Sequence, residues 1–215
     1  MEDVAELVEG YHRFLDTRYA EQSDLYRTLA EEGQAPKTAI IACCDSRVDP
    51  ATIFAAGPGQ LFIVRNVANL VPPFEPLGNH HGTSAALEFA VEGLEVENIV
   101  VMGHARCGGV RAFLDDLYVQ KSTNSFIGRW MSLLKAAHAD TVRTHGRDGE
   151  TSIEEQQQAM EHAAVRSSLE NLETFPFIRD RLAAGKLKLR GAYFDIADGR
   201  LLTLDQTTGA FRPLA

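Results

Sequence analysis

Two short segments of this 215-residue sequence carry side chains suited to metal chemistry. The first is Cys43-Cys44-Asp45-Ser46-Arg47 and the second is Gly103-His104-Ala105-Arg106-Cys107-Gly108-Gly109. Two thiolates and an imidazole suit Zn²⁺, and three protein ligands leave a fourth tetrahedral position open, as in catalytic rather than structural sites. Water in that position has its pKa lowered to about 7, giving a hydroxide nucleophile at neutral pH. Cys43, His104 and Cys107 are the candidate ligands for one Zn²⁺ per chain. His104 and Cys107 are three apart, a spacing that brings both to one point at a turn into a helix, whose N-terminus favours a Cys107 thiolate. If the backbone stays extended after Cys43, then Cys43, Asp45 and Arg47 share one side, leaving Cys44 as a small buried residue. An ionised Asp45 paired with Arg47 can orient a metal-bound hydroxide, and Asp45 freed from Arg47 can close the fourth position. Taken separately, Asp45-Ser46 reads equally well as a helix cap and Cys107 as an inert buried thiol. Their pairing at two strand ends points to a metal.

The elements that must position these residues are legible as hydrophobic runs. Strands are expected at 37–43, 60–66, 98–104 and 187–194, with a fifth at 201–205 joined through the Asp198-Gly199 turn. Continuous apolar strands indicate a parallel sheet covered on both faces, and ligand sites on such sheets form at the carboxyl ends of strands. Both metal-binding segments follow such ends. Helices are expected at 83–92, stopping at Gly93, and from a capping box at Ser152-Ile153-Glu154-Glu155 to before Pro176. The polar stretch 138–150 reads as an exposed loop. Val4, Leu7, Val8, Tyr11, Phe14 and Leu15 recur at helical spacing, so the first thirty residues read as a helix, ended by Gly33-Gln34-Ala35-Pro36. Its stripe covers either its own domain or a second subunit. The fold class is α/β: a mostly parallel central sheet of four to five strands flanked by helices, with an N-terminal helical arm, in one domain spanning 1–215 with 1–33 as the arm.

Composition narrows the class. Hydrophobic residues make up 45%, enough for a sizeable core, and no run approaches the roughly 20 apolar residues of a membrane span. A net charge of −9 argues against nucleic acid. An acidic N-terminus and three cysteines, two adjacent, fit a cytoplasmic chain without a disulfide framework.

At these residues the sequence resembles the β-class carbonic anhydrases. The resemblance runs through Cys43-Cys44-Asp45-Ser46-Arg47-Val48, Gly59-Gln60-Leu61-Phe62-Ile63-Val64-Arg65-Asn66-Val67-Ala68-Asn69-Leu70-Val71-Pro72-Pro73 and Gly103 to Val110, and is strong over about residues 34–113. It implies that Cys43, His104 and Cys107 hold zinc and that Asp45 with Arg47 is the catalytic dyad. It also implies a substrate pocket of Gln34, Phe62, Phe89 and the Gly108 backbone N–H. Phe89 stands where plant-type members have a tyrosine, so a hydroxyl is missing and an apolar wall remains. Some bacterial members close the zinc with the aspartate and use a tryptophan in an allosteric pocket; Ile40 at that place, with Gln34 present, implies the open type.

The activity implied is reversible hydration of carbon dioxide to bicarbonate, with a homo-oligomer, dimer or dimer of dimers, whose sites lie at the subunit interface. Two rivals share the scaffold: a carbonyl sulfide or carbon disulfide hydrolase, and a non-catalytic bicarbonate sensor. His12, His80, His81, His138, His145 and His162 read as incidental, and none is assigned to proton transfer.

Overall fold

The apolar run that opens the sheet, Thr38–Cys43 (β1), is buried from Ala39 onward, which only a strand inside a covered sheet allows. In the computed structural model, which describes residues 4–77, 81–115, 125–145 and 152–214, β1 pairs in parallel with Leu61–Asn66 (β2) and Asn98–His104 (β3). Lys188–Asp195 (β4) continues the parallel sheet beside β3. Arg200–Leu204 (β5) and Phe211–Pro213 (β6) then pair antiparallel, giving the order β2-β1-β3-β4-β5-β6. Six strands among the described residues replace the expected four to five. The sixth has three residues ending in a proline that cannot donate to a ladder, too little for an apolar pattern to register.

The chain leaves β1 for β2 on one side and later returns to place β3 on the other, so the order in which strands are added reverses between the parallel neighbours β1 and β3. The carboxyl ends of neighbouring strands diverge there and open a crevice. Cys43 ends β1 and His104 ends β3. Ile41, Ile99 and Val101 on one face are fully buried and pack with Leu87, Val165, Leu169 and Ile178 from the covering helices. Burial of each such side chain contributes about 1.5–3 kcal/mol.

Helix α1 (Ala5–Phe14) runs through a wide turn at Leu15–Tyr19 into α2 (Ala20–Glu32), stopped by Gly33 at φ 87°. A short α3 (Pro50–Ile53) is capped by Asp49, whose carboxylate accepts from the Thr52 amide. Gly82–Glu88 (α4) extends through a wide turn to Gly93, as expected. Gly108–Leu114 (α5), Phe126–Met131 (α6), Leu134–His145 (α7), Ile153–Leu172 (α8) and Pro176–Ala183 (α9) complete the layers. The capping box of α8 forms as predicted: the Ser152 hydroxyl accepts from the Glu155 amide at 3.2 Å and the Glu155 carboxylate accepts from the Ser152 amide at 2.8 Å.

The stretch expected as an exposed loop is helical as far as His145, and 146–150 lie outside the described residues. Leu134, Ala137 and Thr141 form a buried stripe at helical spacing, too thin to stand out among polar neighbours. Among its described residues the arm fully buries none against the domain; Leu7 and Tyr11 are 69% and 56% exposed. No helix among the described residues is long and apolar enough to cross a membrane.

Candidate metal centre

Cys43, His104 and Cys107 converge although 60 residues of chain separate the first from the second. Their ligand atoms all lie within 4.8 Å of one another and all three residues are buried. The two sulfurs are 4.0 Å apart. A tetrahedral zinc with bonds of about 2.3 Å holds two sulfurs about 3.8 Å apart, so the pair fits that ion. His104 Nδ1 lies 2.9 Å from the Ala105 carbonyl, a contact that orients the ring, while its buried Nε2 has no hydrogen-bond partner. A ring nitrogen left bare beside two thiols is a ligand geometry.

The proton distribution agrees. The Cys43 thiol is drawn well below its ordinary value, chiefly by the hydrogen bond from Cys107, with the Ala68 amide assisting at 3.3 Å. Cys107 is pushed up by that same bond and by burial, while the Val110 and Gly109 amides of α5 pull the other way. Burial opposes a charge on His104, but Cys43 beside it raises its pKa overall. The helix start expected to favour the Cys107 thiolate is present, but the neighbouring sulfur outweighs it.

Chain geometry after Cys43 differs from the extended form. The Val48 amide bonds back to the Asp45 carbonyl, closing a turn, so Cys44 is exposed rather than buried. Asp45 and Arg47 still meet. Arg47 Nε and Nη2 reach Asp45 Oδ1 and Oδ2 at 3.0 and 2.8 Å, and the Arg47 amide adds a third bond. That fork holds the Asp45 carboxyl far below the usual carboxylate range. Both carboxylate oxygens are thereby engaged by Arg47. Arg47 also donates to the Arg106 carbonyl at 3.2 Å, tying the dyad to the loop of the other two ligands.

Gln34 lies exposed beyond the arm, and Phe62 and Phe89 pack on one another with ring centroids 5.9 Å apart. Phe62 pairs with Ala39, four residues before Cys43 along β1, about 13 Å at strand rise. Gly108 lies beside Cys107 at the start of α5 with open space on its Cα. Within one chain, therefore, the ligands, dyad and Gly108 come together, whereas Phe62 and Phe89 stand toward the opposite end of β2.

Several supporting residues carried no assignment in the sequence. Arg65 donates to the carbonyls of Cys43, Asp45 and Val48, holding the turn. Asn66 brackets the following turn by bonding the Leu70 amide and carbonyl, and Trp130 donates to the Val67 carbonyl. This turn holds Ala68 at φ 63° so that its amide faces Cys43 Sγ. A lone charge ending the apolar run Leu61-Phe62-Ile63-Val64 was the available signal for Arg65.

A switch-point crevice holding two thiols, an imidazole and an aspartate–arginine fork defines a metal-dependent α/β enzyme. The chain belongs to the carbonic anhydrase family, whose family model matches residues 38–201, and within it to the β class. It is 38% identical over 212 residues to Beta carbonic anhydrase 6, mitochondrial, of Arabidopsis thaliana, covering 95% of this chain and 71% of that one. The β-carbonic anhydrase CcaA superposes with a TM-score of 0.90 at 29% identity, over 99% of this chain and 100% of that one. One of two tetrameric β-carbonic anhydrases of Sordaria macrospora superposes at 0.82 with 27% identity over the full length of both chains.

Proposed function

We propose that the protein catalyses the reversible hydration of carbon dioxide to bicarbonate and a proton. The observation that carries this reading is the convergence of Cys43, His104 and Cys107 beside an Asp45 carboxylate gripped at both oxygens by Arg47. Zinc held by these three side chains supplies Lewis acidity that makes water acidic near neutral pH. Asp45 is kept ionised by Arg47, so its oxygen accepts a hydrogen bond from the attacking water and aims a lone pair at the carbon. Arg47, tethered to the Arg106 carbonyl, would hold Asp45 away from the zinc that Cys43, His104 and Cys107 would bind. The Gly108 N–H donates a hydrogen bond to a substrate oxygen, with open space beside this residue in support. Protons leave to solvent buffer.

The reading extends to assembly. Residues 1–215 form one domain with 1–33 as a dimerisation arm, and Gln34, Phe62 and Phe89 complete the pocket of a second copy. Support comes from the exposed stripe of α1, from the half-buried apolar face of the outer strand β2, and from the tetrameric relatives of Sordaria macrospora. Three free cysteines, one of them exposed, fit a reducing compartment, for which the cytoplasm is our reading; imaging of the tagged full-length chain tests it against an organelle such as that of the mitochondrial relative.

Stopped-flow carbon dioxide hydration, with metal content determined on the same sample, tests the function. One zinc per chain with fast, chelator-sensitive hydration is expected, and Cys43→Ala loses zinc and activity together. Zinc without hydration, accompanied by turnover of carbonyl sulfide or by bicarbonate binding alone, would overturn the reading.

A further inference from the structure

One carboxylate in the core has no part in the chemistry described so far. Glu161 is 3% exposed on α8, among Met160, Ala163, Ala164 and Val165. A charged group there is costly to bury, and burial raises its pKa. Its partners show what it holds. Oε1 accepts the Cys107 amide at 2.8 Å and Gln157 Nε2 at 2.9 Å, and Oε2 accepts the Tyr193 hydroxyl at 2.6 Å. Gln157, one turn earlier on α8, also donates to the Cys107 carbonyl at 3.3 Å. Two side chains on one helix thus grip both polar groups of a single backbone unit.

That unit needs holding. Arg106, the residue before Cys107, sits at φ 56°, a left-handed conformation costly for a side chain with a Cβ. Such strain persists only where surrounding contacts over-determine it. Arg47 holds the Arg106 carbonyl from the dyad side, and Glu161 holds the next amide from the core side.

We propose that Glu161 is the positioning residue of the Cys107 ligand: with Gln157 and Tyr193 it clamps the strained turn between His104 and Cys107 so that the Cys107 thiol points at the metal. It touches neither substrate nor metal and acts through the backbone of Cys107. This inference rests on the reading of Cys107 as a zinc ligand.

The test compares full-length wild type with Cys107→Ala, Glu161→Leu, Glu161→Gln and Gln157→Leu. Zinc affinity is measured by chelator competition, and the cobalt(II)-substituted forms are compared by their absorption spectra. Glu161→Leu is expected to weaken zinc binding by about 10–100-fold, the usual effect of removing a group that orients a ligand, and to alter the cobalt–thiolate bands. Glu161→Gln keeps an acceptor for the Cys107 amide and is expected to restore both to the wild-type range. Gln157→Leu, at a half-buried position, weakens zinc several-fold while folding normally. A folded Glu161→Leu with wild-type affinity and spectrum overturns the clamp, as does a Glu161→Gln no better than Glu161→Leu. Should Glu161→Leu not fold, Gln157→Leu decides, and wild-type behaviour there overturns the proposal. Cys107→Ala binding zinc as tightly as wild type would sink the ligand reading itself; loss in Cys107→Ala with none in Glu161→Leu sinks only the clamp.

Discussion

At the scale of single residues, the site separates charge from position. Asp45 belongs to the charge side: both of its oxygens are held by Arg47, so its replacement changes the acceptor and leaves the ligands alone. Asp45→Asn is expected to retain one zinc per chain and lose about 10–100-fold in kcat/KM, read by metal analysis and stopped-flow hydration on one preparation. The cysteines set the pH dependence of metal uptake. The two sulfurs lie 4.0 Å apart and share a hydrogen bond, so burial and mutual repulsion oppose ionising both, and Cys107 is pushed up by its neighbour. Zinc must expel the thiol proton, so affinity rises with pH and falls as pH drops; chelator competition across a pH series reads the slope. A flat profile would mean that Cys107 is already deprotonated in the metal-free protein.

At the scale of elements, the site is made by close approach of turns. Gly109 lets α5 lie against the Val67–Asn69 turn: a Cβ there would stand 2.9 Å from Val67 and 3.3 Å from Ala68, whose amide bonds Cys43. Gly109→Ala is therefore expected to lower stability by about 1–3 kcal/mol in denaturant unfolding and to weaken zinc binding as well. The meeting of Cys43, His104 and Cys107 and the pairing of Asp45 with Arg47 were legible because these residue types are unusual at strand ends, and β3 was legible to its last residue because Ile99-Val100-Val101-Met102 has no competing pattern. Helix α7 and strand β6 were not, one having too thin a stripe and the other too few residues. Glu161 was harder still. It falls on the stripe of Ala164, Val165, Ser168 and Leu172, where a carboxylate reads as an interruption until its partner on another element is known. The burial expected of Cys44 failed because alternation holds only while a strand lasts, and this one turns at Asp45.

At the scale of the whole molecule, the apolar surface that one chain leaves uncovered is informative. Val4, Leu7 and Tyr11 on the arm, with Phe89 beside β2, are exposed, whereas the rings of Phe14, Tyr19 and Tyr26 pack together to hold the bend of the arm. Leu29 of α2 seats on Gly59, which fixes where the arm leaves the domain. Leu7→Glu is expected to shift the chain toward monomer in sedimentation velocity without changing its helix content. Hydration activity falls in step, since the Phe62–Phe89 wall would no longer reach a neighbouring crevice. Undiminished activity in a proven monomer would remove the shared pocket from the mechanism.

The separation of the ligands along the chain has a kinetic consequence. His104 and Cys107 are neighbours in any conformation, but Cys43 joins them only after β1 has paired with β3. That pairing closes a loop of some 60 residues, a slow, non-local step. A nascent or unfolded chain thus offers zinc only two of its three ligands together, and the full binding strength appears when the sheet is in register. Metal capture therefore comes late in folding, and tight retention of the ion certifies that the strands were assembled in the right order.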